Sequence, residues 1–230
     1  MPYTYIADNL ARVREKMEAA ALRAGRPAAD LVAVTKGATD DEVRALFSLG
    51  VSRFGENRAE LFLRRAYIAA EFKHDIEAHF IGTLQRNKVR QIADDVSLIH
   101  SLDSIPLARE IEKQAAKRDI RIPVLLEINS GREENKSGIS PDDVFAVADE
   151  VRLLPHVSLR GVMTMAPNCE KNEDYRRFFS ETRRAFERLT DEGAFDTASP
   201  ILSMGMSDSY EIAIEEGATL VRIGTTLFRK

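Results

Sequence analysis

A lysine directly follows a predicted buried strand near the start of the sequence. The apolar, β-rich segment LVAVT runs into Lys36, although charged side chains are almost never fully buried unless they are paired. One explanation is that the lysine stem lies along apolar surface while its ammonium group reaches water. The chemical explanation is that desolvation favours the neutral amine, which is nucleophilic and able to form a Schiff base with a carbonyl group.

Two segments near the other end of the sequence, SMGMSDSYE and VRIGTT, have the composition of phosphate-binding loops. In the first, Gly205 allows close backbone approach, and the pair Ser207 and Asp208 predicts a helix N-cap with an available hydroxyl group. In the second, Gly224 and Thr225 repeat the combination of a small residue and a hydroxyl group. Because backbone N–H groups at helix N-termini bind anions, the two segments together predict a phosphate site.

An arginine is predicted on the inner face of the last strand. In LVRIG, the period of two directs Val221 and Ile223 to one face and Arg222, with Gly224, to the other. A buried guanidinium group is unfavourable unless it is paired. Its partner is then either a carboxylate such as that of Glu127 or a ligand acceptor, for example the pyridine nitrogen of a cofactor.

The elements that must position these residues begin with an amphipathic helix. Its apolar positions recur at steps of three or four, at Ile6, Leu10, Val13, Met17, Ala20 and Ala21. Eight β-rich segments follow, which are LVAVT, SRFGEN, HFIG, LIHSL, IPVLLEIN, SLRGVMTM, ILSMG and TLVRIG. Segments of helical period separate them, at 40–49, 58–71, 87–93, 104–118, 141–154, 172–191 and 208–216.

Strict alternation of eight strands with helices predicts one α/β domain over residues 1–230, folded as a (β/α)8 TIM-type barrel. Only TTLFRK follows the last strand, so the additional N-terminal helix is expected to occupy the place of the eighth outer helix. The alternative is an open doubly wound sheet, but no G-x-G-x-x-G follows the first strand. In a barrel, Lys36, Arg222 and the two loops meet at the carboxyl ends of the strands, where active sites lie.

A lysine, a phosphate cradle and an inward arginine describe a site for pyridoxal 5'-phosphate (PLP). The motifs AVTK, FGEN, HFIGTLQRNK, HSLD, NKSGI, RGVMTM and LSMGMSDSYEIAIEEGATLVRIGT also resemble the pyridoxal phosphate homeostasis protein family, the single-barrel relatives of alanine racemase. The resemblance runs in order from about residue 32 to residue 228. It implies a PLP-binding barrel.

The resemblance implies binding roles for ten residues and a catalytic role for none. Lys36 matches the lysine that holds PLP as a Schiff base, and Arg222 matches the arginine at the pyridine nitrogen. The other positions are the phosphate-binding Ser207, Gly224 and Thr225, the ring neighbours Asn57 and His79, and the further pocket residues Met163, Ser203 and Met206.

The sequence departs from the family pattern in two places. Many members carry a proline shortly after the lysine, where this chain has Gly37, Ala38 and Thr39, and many end in Phe-Gly, where it has Phe228 followed by Arg229. The first departure concerns the loop over the cofactor, and the second concerns the outer edge of the phosphate side. A rival Schiff-base residue, Lys136 in EENKSG, has polar neighbours and is interpreted as a loop residue.

Two functional classes fit a PLP barrel. The first is PLP homeostasis without a defined reaction, with PLP-dependent apo-enzymes as recipients; the second is a PLP-dependent enzyme such as an amino-acid racemase. An arginine at the pyridine nitrogen opposes protonation of the ring, and racemases of this fold append a domain that supplies the opposite-face base, whereas this chain stops at Lys230. Both points favour homeostasis. A third hypothesis makes Lys36 the Schiff-base residue of a sugar-phosphate aldolase.

Composition excludes several other classes. Lys and Arg number 33 against 37 Asp and Glu, with the basic residues scattered along the chain, so a nucleic-acid partner is not expected. The longest apolar runs fall well short of a membrane span of about 20 residues. Cys169 is the single cysteine, which favours a reducing, cytoplasmic setting and excludes a cysteine-based metal site. We expect a monomer.

Overall fold

Eight parallel strands close into a barrel in the computed structural model, which describes residues 3–133 and 137–230. The strands are β1 (Asp30–Val34), β2 (Arg53–Glu56), β3 (Glu77–Phe80), β4 (Leu98–Leu102), β5 (Ile122–Ile128), β6 (Val157–Thr164), β7 (Ile201–Ser203) and β8 (Leu220–Ile223). Each strand pairs with the next along the chain, and β1 pairs with β8. The predicted barrel is confirmed, and the open doubly wound alternative is wrong.

Helices follow the strands in the predicted alternation. They are α1 (Thr4–Arg23), α2 (Asp40–Ser48), α3 (Ala59–Ala69), α4 (Arg86–Ile92), α5 (Ile105–Ala116), α6 (Val144–Arg152), α7 (Tyr175–Asp191), α8 (Tyr210–Glu215) and α9 (Thr225–Phe228). A 3₁₀ turn at Asn172–Asp174 precedes α7. Over the described ranges, no helix combines the length and apolar character needed to cross a lipid bilayer.

The first helix occupies the place predicted for it. Its buried side chains are those expected from the period, namely Ile6, Leu10, Val13, Met17, Ala20 and Ala21. It packs against α2, α8 and the short α9. The side chain of Asn9 donates hydrogen bonds to the carbonyl oxygens of Leu227 (3.2 Å) and Arg229 (2.8 Å). The first helix therefore fixes the segment that follows β8.

Most of the apolar core lies between the strands and the helices. Phenyl rings dominate one side of it, where the Phe62 ring lies 6.0 Å, centroid to centroid, from both Phe54 and Phe80. A second, much smaller apolar cluster of Leu98, Leu125 and Met163 is formed by strand residues that face away from the helices. The space inside the barrel is therefore only partly filled by apolar side chains.

Candidate functional site

A cavity of about 450 Å³ opens at the carboxyl ends of the barrel strands. Its size lies within the range of small-molecule sites, which is about 300–1,000 Å³. All but two of the ten residues predicted from the sequence line it, and the exceptions are His79 and Ser203. Barrel closure therefore brings together side chains that lie far apart along the chain.

Lys36 lines this cavity but is not part of the strand. The strand β1 ends at Val34, Thr35 is fully buried, and Lys36 is exposed. The chain turns at this point, because the amide of Ala38 donates to the carbonyl oxygen of Thr35 (3.0 Å). The expectation that a dry strand desolvates the amine is therefore wrong. The amine stands in an open cleft, where a carbonyl compound can reach it.

The loop between Lys36 and α2 is held without the family's proline. The buried guanidinium group of Arg65 donates to the carbonyl oxygen of Ala38 and pairs with Asp40. At the start of α2, the Thr39 hydroxyl group accepts from the amide of Glu42 (3.3 Å), whose carboxylate in turn accepts from the amide of Thr39 (2.7 Å). Arg65 therefore holds the loop at Ala38, and the capping box holds it at the start of α2.

The segment after β7 differs from the prediction at its helix start. The helix α8 begins at Tyr210 with Ser209 at the N-cap position, so the predicted N-cap at Ser207 is wrong. The physical reason is a turn in which the hydroxyl group of Ser209 accepts from the amide of Met206 (3.2 Å). Ser207 is thereby left in the turn, where it lines the cavity.

The segment after β8 forms the other wall of the predicted phosphate site. A Cβ atom on Gly224 would lie 2.9 Å from the carbonyl oxygen of Val34, so a side chain there would displace the end of β1. The helix α9 starts at Thr225, and the first N–H groups of a helix have no acceptor within the helix. This wall therefore brings a close backbone and the start of a short helix to the cavity.

Arg222 lies inside the barrel, as the strand period predicts. Its side chain is buried and donates hydrogen bonds to the hydroxyl oxygen of Ser203 (2.6 Å) and the carbonyl oxygen of Thr164 (2.9 Å). The hydrogen bonds do not go to Glu127, which was the alternative partner. Burial lowers the pKa of Arg222 to about 10, so the guanidinium group is still charged at neutral pH.

Glu127, predicted from the sequence only as an ion-pair partner of Arg222, is a cavity residue. It is buried, it lines the cavity, and it accepts a hydrogen bond from the hydroxyl group of Ser137 (2.9 Å). Desolvation by burial raises the pKa of its carboxyl group. The period of two in β5 places Glu127 on the same inner face as Leu125, so this pattern could have predicted a carboxylate inside the barrel.

The two predicted residues that do not line the cavity lie behind Arg222. His79 Nδ1 is 2.9 Å from His100 Nε2, and His100 Nδ1 is 3.1 Å from the hydroxyl oxygen of Ser203. Burial lowers the pKa of both imidazoles. His100 is fully buried, and no local pattern in the sequence indicates its partners.

The remaining predicted residues differ in exposure. Asn57 follows β2 and is exposed at the cavity, whereas Met163 is buried in its wall and Met206 is partly buried. Lys136, the rival Schiff-base residue, lies outside the described residues.

Comparisons with known proteins identify the family of this chain. Residues 8–229 match the family profile described as "Alanine racemase, N-terminal domain". The "Pyridoxal phosphate homeostasis protein" of Aquifex aeolicus is 42% identical over 223 residues, which is 96% of each chain. This chain belongs to the pyridoxal phosphate homeostasis protein family.

Two solved structures are similar to this member of the pyridoxal phosphate homeostasis protein family. A protein described as "an unknown protein from Bifidobacterium adolescentis" is 35% identical, with a TM-score of 0.91 over 98% of this chain and 95% of the other. PipY from Synechococcus elongatus, solved with PLP bound, is 28% identical, with a TM-score of 0.83 over 97% of this chain and 99% of PipY. The whole barrel is therefore shared with a protein that binds PLP.

Proposed function

We propose that this protein binds PLP in the cavity at the carboxyl ends of the strands, as one domain over residues 1–230, and serves intracellular PLP homeostasis. The observation that carries the proposal is the meeting of an accessible amine, a buried guanidinium group and a glycine-containing loop around one cavity of about 450 Å³. The PipY complex and the names of the relatives support it. When bound, PLP supplies an aldehyde that condenses with primary amines and a ring that can withdraw electrons.

The residues of the chain divide the binding between them. Lys36 would supply the amine for a Schiff-base linkage, and Arg222 would donate a hydrogen bond to the pyridine nitrogen. Ser207, Thr225 and the N–H groups beside Gly224 would bind the phosphate group. Asn57, Met163 and Met206 would form the walls of the site. Ser203 and His79 would support it from behind Arg222.

We propose storage and delivery rather than turnover. A charged guanidinium group opposes a second positive charge on the pyridine nitrogen beside it, so Arg222 would keep the ring a weaker electron sink. PLP-dependent apo-enzymes would be the recipients, and the protein would act as a cytoplasmic monomer. The single cysteine fits a reducing compartment, and sedimentation of the purified protein tests the monomer.

The absorbance spectrum of Lys36→Ala tests the anchor. The wild-type protein loaded with PLP should be yellow, and Lys36→Ala should lose the absorbance band of the covalent linkage at neutral pH. Lys113→Ala is the matched control, since Lys113 lies on α5 with a largely exposed side chain. An unchanged band in Lys36→Ala would show that Lys36 is not the anchor, and Lys136→Ala would then be the variant to examine.

A turnover assay separates homeostasis from catalysis. The PLP-loaded protein is incubated with single L-amino acids while the enantiomer ratio and the formation of keto acids are followed. We expect rates no greater than those of free PLP at the same concentration. Racemisation well above that background would overturn the homeostasis proposal in favour of an amino-acid racemase.

A further inference from the structure

A hydrogen-bonded chain of polar side chains crosses the inside of the barrel behind the candidate cavity. It starts at Arg222, which lines the cavity, and passes through Ser203 to His100. It continues to His79, whose Nε2 lies 3.5 Å from a carboxylate oxygen of Glu77. Ser203, His100 and His79 are at most 2% exposed, so bulk water does not compete for the contacts among these three residues.

The chemistry of the groups gives this chain a direction. A guanidinium group only donates, so the hydroxyl oxygen of Ser203 accepts from Arg222 and its own proton is free to donate to Nδ1 of His100. The proton of a neutral His100 ring then lies on Nε2, the atom that faces His79. From Arg222 to His79, each contact in this arrangement then joins one donor to one acceptor.

The far end of the chain favours the same direction. If Nδ1 of His79 accepts from His100, the proton of the His79 ring lies on Nε2 and faces the Glu77 carboxylate. In the opposite direction, a neutral His79 would place the lone pair of Nε2 against that carboxylate, and the two would repel each other. The tautomer of each ring is therefore set by the hydrogen bond that its other nitrogen makes.

The charges around the two rings are consistent with neutral imidazoles. Glu77 favours a proton on His79, but it is already paired with Arg53 (2.6 Å), which in turn pairs with Asp30 (3.1 Å). His100 faces the positive charge of Arg222, and burial lowers the pKa of both rings. A positive charge on either imidazole would thus be poorly compensated inside the barrel.

We propose that Ser203, His100 and His79 form a positioning chain for Arg222, in which both histidines are neutral and carry their ring proton on Nε2. Ser203 at the end of this hydrogen-bonded chain accepts from one terminal nitrogen of the guanidinium group and the carbonyl oxygen of Thr164 accepts from the other, so the group is held at two points where Arg222 lines the cavity. The effect on PLP rests on the proposed function, because Arg222 is the proposed partner of the pyridine nitrogen.

Nitrogen NMR of the ligand-free protein tests the tautomers without any cofactor. The protein has four histidines. The variants His74→Gln and His156→Gln identify the signals of the two histidines that lie outside the hydrogen-bonded chain. In wild-type protein near pH 7, the other two rings should each show an unprotonated Nδ1 and a protonated Nε2. A proton on Nδ1 of His79 or His100, or a doubly protonated ring, would overturn the assigned direction.

PLP titration followed by absorbance tests the positioning role. Loss of one neutral hydrogen bond behind Arg222 in His100→Leu should weaken PLP binding by about tenfold and shift the absorbance band. His100→Asn should recover part of the loss, since its amide oxygen can accept from Ser203. His156→Gln is the matched control, because it removes a histidine that contacts Glu112 away from the chain.

Two further measurements keep the outcomes distinct. If His100→Leu fails to give a native circular-dichroism spectrum, Ser203→Ala breaks the same chain beside Arg222 and should give the same weakening. A folded variant with the affinity and band of wild type would overturn the positioning role. Failure of the wild-type protein to bind PLP would instead reject the proposed function, while the NMR result still decides the direction of the chain.

Discussion

Two buried regions of this barrel differ in what fills them. The layer between strands and helices is packed with apolar side chains, including the rings of Phe54, Phe62 and Phe80. Inside the barrel, a small apolar cluster shares the space with buried polar groups such as Arg222 and His100. Interiors of such barrels are ordinarily filled by branched aliphatic residues. The difference indicates that the outer layer supplies most of the stability and the interior supplies the site.

Burial affects the two regions in opposite ways. Each apolar group removed from water in the outer layer stabilises the fold, by about 25 cal/mol per Å² of surface. A polar group inside the barrel loses the free energy of its hydration, and its hydrogen bonds within the protein offset only part of that loss. Four substitutions or conditions test this contrast, and they follow from the largest expected effect to the smallest.

Truncation of a phenyl ring in the outer layer should have the largest effect. Phe62 is fully buried, so Phe62→Ala should lower the free energy of unfolding by about 3–5 kcal/mol, measured by urea denaturation. Tyr67→Ala, on the same helix but 76% exposed, should change it by less than about 0.5 kcal/mol. The folded Phe62→Ala protein should keep its PLP affinity, and a strong loss of affinity would show that the outer layer also shapes the cavity.

Filling the gap between β8 and β1 should affect stability and binding together. Gly224→Ala places a methyl group 2.9 Å from the carbonyl oxygen of Val34, so we expect a loss of about 1–3 kcal/mol in unfolding free energy and weaker PLP binding. Gly37→Ala is the matched control, because a Cβ atom there meets nothing within 4 Å. Normal PLP binding by Gly224→Ala would argue against the proposed phosphate wall.

The interior histidines should make stability depend on pH. Burial lowers the pKa of His79 and His100 in the folded protein below the ordinary value of 6.5. Below pH 6.5 the unfolded chain therefore binds protons that the folded protein does not. As the pH is lowered below 6.5, the free energy of unfolding should fall by up to about 1.4 kcal/mol per pH unit for each histidine. Above that pH both histidines are neutral in the folded and unfolded states, and this loss of stability is absent.

Urea denaturation at a series of pH values measures this slope. His100→Leu should remove about half of the histidine contribution, whereas His74→Gln, at an exposed position, is the surface control. Equal slopes for His100→Leu and wild type between about pH 5 and 6.5 would contradict the assignment.

The single cysteine should have the smallest effect. The Cys169 thiol is half-buried and 3.4 Å from the carbonyl oxygen of Pro167, and burial raises its pKa. We expect Cys169→Ser to change the free energy of unfolding by less than about 0.5 kcal/mol and to leave PLP binding unchanged. Because the thiolate is the reactive form, the wild-type thiol should react slowly with alkylating reagents. Rapid alkylation near pH 7 would contradict this expectation.

The fold and one central site residue could be predicted from local patterns. Alternation of β-rich and helical segments was enough for the barrel, because parallel strands joined by helices permit few other arrangements. The period of two in β8 placed Arg222 inside, between Val221 and Ile223 on the other face. Both predictions rest on periodicity, which neighbouring residues determine.

Local turns account for the two predictions that were wrong. The exposure of Lys36 depends on the turn closed by the Ala38 amide, which apolar patterning does not encode. The position of the α8 N-cap depends on the preceding turn, in which the hydroxyl group of Ser209 accepts from the amide of Met206. Gly205, with a φ of +91°, directly precedes this turn. Ser207 and Ser209 are both suitable N-cap residues by type, so composition alone could not distinguish them.

Long-range contacts explain what the sequence could not reveal at all. His100 and Ser203 are separated by 103 positions and meet because β4 and β7 face each other across the barrel. No local pattern around either residue contains this information, since it depends on barrel closure and strand stagger. The polar chain behind Arg222 was therefore visible only in the structure.

Closure of the sheet between β1 and β8 also has a consequence for the folding pathway. This pairing joins the two strands that lie furthest apart along the chain, so it carries a large loop-closure entropy and is a slow kind of contact to form. Lys36 follows β1 and Thr225 follows β8. The two walls of the cavity therefore meet only when this pair forms, and acquisition of ligand binding during refolding would report the kinetics of barrel closure.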